Sequence, residues 1–318
     1  MKMIDLHTHS WCSDGGIPPK ELVKEAAELG VEILALTDHD GTYGIEEAVE
    51  AGKRLGVSVI GGVEFSSYLE TFDCHMHILG LGIDPKEKGM AEKMIWIREK
   101  RRERNAQMLD IFHQLGFELE AEDMQLYPGQ DYVGKPNMAR ALVNRGYAST
   151  ITEVFESPKM LKAPEMKVVR RDRVAAEEAI QLIHNAGGLA ILAHPFKVFW
   201  EGRISPSRRD FDDPVHIQSR AHFETILDKL VARGLDGMEC FYTSHSKEET
   251  EYLCALAERK GLMITAGSDY HGKQMREGVE LLGCWKGWEE ELVPEAVKAV
   301  ETFAFDLTVS PTTRYNKI

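Results

Sequence analysis

Long apolar runs are missing from this chain: nowhere in its 318 residues is there a stretch of about 18 hydrophobic residues, the length a membrane span needs. Cysteine is scarce. The five present, Cys12, Cys74, Cys240, Cys254 and Cys284, are odd in number and form no C-x-x-C pair, which argues against a disulfide framework and against a zinc ribbon. Positive charge is short as well. Thirty-eight Lys and Arg against 52 Asp and Glu leave a net charge of −14, so no extended duplex nucleic-acid surface is expected, because affinity for polyphosphate comes largely from Lys and Arg displacing counterions. A small phosphorylated ligand stays compatible with that balance. There is no internal repeat and no low-complexity tract. Met1 to His7 carries neither a basic n-region nor an apolar h-region, and a cytoplasmic location is the expectation. What is there, 43% hydrophobic and 28% charged, is a globular composition long enough for one large α/β domain with a smaller insert.

The first hundred residues alternate strand and helix patterns. Met3 to Thr8 reads as a strand with Asp5, His7 and His9 on one face. Pro18-Pro19 open a helix with the stripe Leu22, Val23, Ala26 and Ala27, stopped at Gly30. Ile33 to Thr37 is a short buried strand, Ile45 to Leu55 a helix, Val57 to Gly62 a third strand leading to Glu64, and His75 to Leu81 a fourth. This cadence predicts a mainly parallel sheet or barrel. From about Lys86 it breaks into a long charged helix to Leu115, then shorter helices, with Pro136 at one start and Thr150 capping another. It resumes with a helix over Ala175 to Asn185, a strand over Leu189 to Ala193, a helix around Phe223 to Ala232 and a strand over Gly237 to Phe241. A helix with capping-box spacing between Ser246 and Glu249 comes next, then a strand over Met263 to Ala266. The expected division is residues 1–90 as the first part of the sheet or barrel, 91–167 as a helical insertion, and 168–318 as the second part with a C-terminal extension.

Metal-capable side chains recur at the polar ends of these apolar runs: Asp5, His7, His9, Asp14, Asp38-His39-Asp40, Glu64, His77, His194, Asp269 and His271. Such endings deliver side chains to the rim of an α/β sheet, where its chemistry is kept. His7-x-His9 turns two imidazoles to one side. Three consecutive polar residues at 38–40 after a buried strand are costly unless paired or coordinated. Glu64 obeys the same logic, and a carboxylate can bridge two ions. His75 and His77 share a strand face; His77, directly before Ile78-Leu79, is the better candidate. Two basic stretches flank the insertion, and Arg98, Arg101 and Arg102 fall at i, i+3 and i+4 on one helix face, suited to gripping a phosphate. His245, after a strand, is placed to touch substrate or protonate a leaving oxygen.

Taken together, Asp5-Leu6-His7-Thr8-His9-Ser10, Ser13-Asp14-Gly15, Leu36-Thr37-Asp38-His39-Asp40, Gly62-Val63-Glu64, His77-Ile78-Leu79-Gly80, Ala193-His194-Pro195 and Gly267-Ser268-Asp269-Tyr270-His271 resemble the PHP family, named for polymerase and histidinol phosphatase. The likeness is to its stand-alone nucleotide phosphoesterases and spans residues 3 to 272. It implies an α/β fold, a distorted (β/α)7 barrel, with a three-ion centre commonly filled by manganese, iron, zinc or magnesium. Carried over by position, His7, His9, Glu64 and Asp269 would hold one ion, Glu64, His77 and His194 a second, and Asp14, His39 and His271 a third. Three divalent ions would make the pocket cationic whatever the whole chain carries. Asp38 and Asp40 would orient ligands or handle a proton.

The insertion looks similar too. Ile97 to Met108 matches the family's arginine-rich helix, and Val133 to Arg140 occupies the place of its Gly-Arg-Pro-His, with lysine and asparagine standing for arginine and histidine. Arg98, Arg101, Lys135, Arg140 and His245 are the expected substrate contacts. The resemblance implies hydrolysis of a phosphoester by metal-activated hydroxide. The substrate expected is a nucleoside 3′,5′-bisphosphate losing its 3′-phosphate, or a short RNA trimmed from its 5′ end. Histidinol phosphate and cyclic phosphodiesters are rivals. Amide hydrolysis, and a non-catalytic nucleotide-binding role, belong to other classes; the complete ligand set argues against the second.

Overall fold

A computed structural model describes residues 3–125, 130, 132–169, 172–200, 214–272, 298, 301, 302, 304 and 308. Apart from those last positions, the expected C-terminal extension lies outside the described residues, as does most of the irregular segment between Pro195 and His216. Among the described residues no helix is long and apolar enough to cross a membrane.

Strand β1 (Met3–Thr8) leads through α1 (Pro19–Glu28) to β2 (Val31–Leu36), and α2 (Ile45–Leu55) leads to β3 (Ser58–Leu69). These three strands are parallel, as the intervening helices require. The next step differs from the expected cadence. β3 does not stop at Glu64 but runs on to Leu69, and a short 3-10 turn with Asp73 at φ 49° returns the chain as β4 (Cys74–Leu81), antiparallel to β3. No helix intervenes, so no parallel crossover is available. β4 is also antiparallel to β6 (Leu189–Leu192), after which β7 (Gly237–Tyr242) and β8 (Met263–Gly267) return to parallel pairing. A two-residue β5 (Val174–Ala175) adds to β3.

The order β1-β2-β3-β4-β6-β7-β8 makes a seven-strand path. Its outer edges meet at one end, where Thr8 bridges Tyr270, the His9 N–H donates to the Tyr270 carbonyl at 2.8 Å and the Asp269 N–H to the His7 carbonyl at 2.9 Å. Ile4, Leu6, Ile33, Ala35, Ile60, Leu79, Leu81, Ile191 and Ala193 form a cluster drawn from strands and strand ends, the filling expected between curled strands. The other faces pack on α1 and α2, and on α6 (Ala176–Asn185), α8 (Pro214–Val231) and α9 (Lys247–Lys260).

Between β4 and β5 run α3 (Lys88–Gln114), α4 (Lys135–Asn144) and α5 (Ile151–Glu156). Pro136 lies in the first turn of α4, and the Thr150 hydroxyl accepts from the Glu153 N–H at 3.1 Å, so both starts fall where capping chemistry predicts. α3 belongs to two cores. Met90, Met94 and Ile97 pack with the sheet and its helices, whereas Met108, Ile111 and Phe112 pack with α4 and α5. Its polar middle, Arg101, Arg104 and Asn105, is buried at the changeover. A short α7 (Pro195–Trp200) comes after β6, an element that the sequence pattern did not signal.

Candidate metal centre

The parallel strands end on one rim of the sheet, and β4, running the other way, brings its beginning there. This is why His7, Asp269 and His194 come after apolar runs while His77 precedes one. Asp40, His194 and Asp269 have φ values of 51°, 30° and 56°, a left-handed backbone that non-glycine residues adopt at a cost of about 1–3 kcal/mol each unless the surroundings hold it.

All nine candidate ligands converge. His7, His9, Glu64 and Asp269 offer ligating atoms within 4.8 Å of one another, as do His9, Asp14, His39 and His271, and as do His39, Glu64 and His77. Glu64 is the hub and is fully buried. Its Oε1 lies 2.8 Å from His77 Nδ1 and 3.0 Å from His194 Nε2, while Oε2 lies 3.3, 3.2 and 2.8 Å from nitrogens of His7, His9 and His39. His77 Nδ1 and His194 Nε2 are 3.2 Å apart, which keeps that trio together. His9 adds itself to Asp14, His39 and His271, a neighbour that the carried-over sets did not include. His75, exposed on β4, tilts against Tyr68 instead.

These atoms face one another as ligands of a shared ion would. His39 Nδ1 and Glu64 Oε2 are buried and 2.8 Å apart, yet the angles make no hydrogen bond. His7 and His9 point Nε2 at Nε2 across 3.1 Å. Imidazole and carboxylate donors suit manganese, iron or zinc, so the residues present fit divalent cations.

The electrostatics agree. Burial alone would depress the His7 imidazole, but Glu239, Glu64 and Asp269 raise it well above its ordinary value. His9 and His39 are likewise raised against burial, His9 by the Asp269 and Glu64 carboxylates 3.2 Å from its Nε2 and His39 by the charges of Glu64 and Asp14. Burial would lift Glu64 and Asp14, and the surrounding imidazoles pull both far below the carboxylate range. Without ions, protons take the place of cations.

Supporting residues fix these groups. Glu239, on β7 and fully buried, accepts from His7 Nδ1 at 3.0 Å and from the His194 backbone N–H at 2.7 Å. His7 therefore turns its Nε2 lone pair toward the centre. The Tyr242 hydroxyl donates to Asp269 Oδ2 at 2.9 Å, and His271 Nδ1 donates to the Asp269 carbonyl at 2.7 Å. Neither Glu239 nor Tyr242 stands out in the sequence, because β7 is buried on both faces and shows no alternation; a lone acid inside an apolar strand was the available signal. Asp5 accepts from the Ser268 N–H and hydroxyl at 3.0 and 2.6 Å, so it staples β1 to β8 rather than joining the ligands.

Asp38 accepts from the Ser10 N–H and hydroxyl at 2.8 and 2.7 Å and from the Ser13 hydroxyl at 2.6 Å, which holds the turn carrying Asp14; burial raises its pKa. Asp40 accepts from the Ser66 N–H at 2.8 Å and from Arg101 Nη2 at 2.6 Å. Both carboxylates are thus engaged in positioning.

Above the centre opens a cavity of about 830 Å³. Asp14, His39 and His77 form part of its wall, with Arg101, Arg104, Lys135 and Arg173 also lining it and Tyr68, Tyr132, Met108, Leu161 and Met166 adding apolar surface. Arg101 stacks over the Tyr132 ring at 4.0 Å. Of the expected substrate contacts, Arg101 and Lys135 line this cavity; Arg98 stands aside over the Tyr43 ring at 5.4 Å, and Arg140, on α4, is not among the residues that line it. His245 is buried behind Tyr242, its Nδ1 3.0 Å from the Cys240 carbonyl and its ring against Phe196. Arg104 and Arg173 were not singled out by position, although they fall in the basic stretches at 92–104 and 159–173 that flank the insertion.

Residues 5–186 match the PHP domain. The chain is 33% identical over 270 residues, 85% of its length and 94% of the relative's, to a phosphoribosyl 1,2-cyclic phosphate 1,2-diphosphodiesterase of Eggerthella lenta. It is 34% identical over 284 residues, 85% and 88% of the two chains, to a 3′,5′-nucleoside bisphosphate phosphatase of Chromobacterium violaceum. A solved structure from Bifidobacterium adolescentis, described as a metal-dependent phosphoesterase, superimposes with a TM-score of 0.71 at 28% identity over 94% of this chain and 96% of that one.

Proposed function

Since the chain belongs to the PHP domain family, we propose that it is a metal-dependent phosphoesterase whose substrate is a small nucleotide carrying two phosphates, a nucleoside 3′,5′-bisphosphate that loses its 3′-phosphate. The observation that carries this reading is the cavity itself. Its lining combines Asp14, His39 and His77 of the cluster with Arg101, Arg104, Lys135 and Arg173, against one further acid, Asp172, so a phosphate reacting at the cluster and a second anion on the cationic side chains would share one space.

His7, His9, Glu64 and Asp269 would hold one divalent ion, Glu64, His77 and His194 a second, and Asp14, His39 and His271 a third, with manganese the first choice. Bound ions supply positive charge for the phosphoryl oxygens and bring the pKa of a water toward neutrality. The chain's own contribution is placement. The two oxygens of Glu64 face different histidine sets, as a bridging carboxylate must. Glu239 keeps the proton of His7 on Nδ1, away from the ligating nitrogen. Asp40 and Tyr132 fix the Arg101 guanidinium in one orientation, so little side-chain entropy is lost when it meets an anion. The tyrosines and the Met108 side leave an apolar face for the nucleoside.

The test is phosphate release by the purified, metal-analysed protein from a panel of nucleoside 3′,5′-bisphosphates, mononucleotides, histidinol phosphate, cyclic phosphodiesters and short RNAs. Fastest release from the bisphosphates, abolished by chelation, is expected. Turnover of a cyclic phosphodiester beside silent bisphosphates would replace the substrate and keep the class. Hydrolysis of amides with every ester untouched would overturn the class.

A further inference from the structure

The Asp14 turn and the segment that opens α4 are more than a hundred residues apart in sequence, yet two buried amides join them. Gln130, 3% exposed, donates from Nε2 to the carbonyls of Trp11 and Ser13, each 3.2 Å away. Its Oε1 accepts from Asn137 Nδ2 at 3.2 Å, and Asn137, also 3% exposed, accepts with Oδ1 from the Gly134 N–H at 3.1 Å. The directions are forced by the partners. Two carbonyls only accept, so the amide nitrogen of Gln130 faces them; its oxygen is left for the nitrogen of Asn137, whose oxygen is left for Gly134. The strap ends beside the cavity at both sides. Ser13 precedes Asp14, Gly134 precedes Lys135, and Asp14, Gly134 and Lys135 all line the same space.

We propose that Gln130 and Asn137 are positioning residues for the hydrolysis, holding the Asp14 turn in register with the Lys135 side of the cavity so that anion grip and ligand placement are set together. This rests on reading the cavity as the phosphoesterase site. Neither residue touches the reacting atoms. Asn137→Asp isolates the role, since it keeps an acceptor for the Gly134 N–H, and hence the start of α4, but puts an oxygen against Gln130 Oε1. Turning the Gln130 amide over relieves that clash only by pointing its oxygen at two carbonyls.

The experiment measures hydrogen exchange and steady-state kinetics on the full chain for wild type, Asn137→Asp and Gln130→Ala. The informative amides are Ser13 and Gly15, both bonded to the Ser10 carbonyl, and Gly16, bonded to the His271 carbonyl. In both variants these should exchange faster while Met138 to Leu142 in α4 keep their protection. On the best ester, kcat should fall roughly 10- to 100-fold, the range seen when groups behind metal ligands are removed, with KM changed much less. Unchanged exchange in the turn, or loosening of α4 to the same degree as the turn, would overturn the proposal. If wild type hydrolyses no ester while the variants still loosen the turn, the proposed function falls and the strap stands.

Discussion

At the scale of single residues, Glu239 is the most informative group. Its two oxygens serve two different donors, Oε1 the His7 ring and Oε2 the His194 backbone, and all three residues are buried. Burial pushes its pKa up, so the carboxylate is held there by its partners and not by its surroundings. Glu239→Gln changes almost no volume, but an amide has one acceptor where two are needed, and its NH2 must face either the His7 Nδ1–H or the His194 N–H. The expected outcome is a protein that folds, whose divalent-ion affinity in a calorimetric titration falls by roughly 10- to 100-fold. An unchanged affinity would show that Glu239 merely fills space. Cys12 is the contrasting case: burial and the nearby Asp38 charge push its thiol up to about 12, so it stays protonated and unreactive beside the site.

At the scale of elements, the boundaries of α2 and α9 were legible because their stop and start residues act through local backbone chemistry, whereas α8 begins at Pro214, nine residues before the start its apolar pattern suggested. Gly56 and Gly261 close α2 and α9 in the left-handed conformation, and Ser246 with Glu249 forms the reciprocal cap that their spacing predicts. The metal-capable strand ends were legible for a similar reason, since a charged group after an apolar run is costly unless something receives it. The direction of β4 was not. Hairpin and crossover differ in the segment that leaves β3, and Ser66 to Phe72 offers neither an Asn-Gly nor an Asp-Gly turn. The polarity of the pattern held the answer: His77 comes before its apolar run where the other ligands come after theirs. Side chains acting through β7, Glu239 and Tyr242, were hidden because a strand buried on both faces shows no alternation, and a register shift there alters which way they point.

Element scale also offers a test away from the centre. His184, in the last turn of α6, pairs with Asp236 before β7 at 2.7 Å, and the same Asp236 oxygen accepts the Ala190 N–H of β6 at 2.8 Å. The hydrogen bond to Asp236 raises the His184 pKa above its ordinary 6.5 despite some burial. A raised imidazole contributes stability that is complete below the unfolded value and is lost as pH climbs through the folded one. His184→Gln keeps a donor and removes the charge. Denaturant midpoints of wild type and H184Q should therefore differ most below pH 6.5 and converge above the raised value. A difference independent of pH would mean that the pair acts as a neutral hydrogen bond.

At the scale of the molecule, the sheet rim and the helices between β4 and β5 depend on α3, whose two ends sit in separate cores and whose buried Arg101 meets Asp40 between them. The centre beneath gathers three carboxylates and six imidazoles, and their titration links ion occupancy to the stability of the whole chain. Without ions, the raised pKa values of His7, His9 and His39 mean that stability from their protonated forms is full below 6.5 and drains away as pH rises through the raised values. Glu64 and Asp14, pulled down, contribute above the ordinary carboxylate range and change nothing over that interval. Divalent ions bind the deprotonated imidazoles, so their affinity rises as those protons leave. Ion at 100 times its Kd stabilises the folded state by about 2.7 kcal/mol, and the figure grows as Kd tightens. Thermal melts of ion-loaded and chelator-treated protein should therefore separate, with the gap in Tm widening as pH increases from 6.5. Coincident melts, or a gap that narrows with rising pH, would mean that the histidines and carboxylates are held together by one another and not by cations.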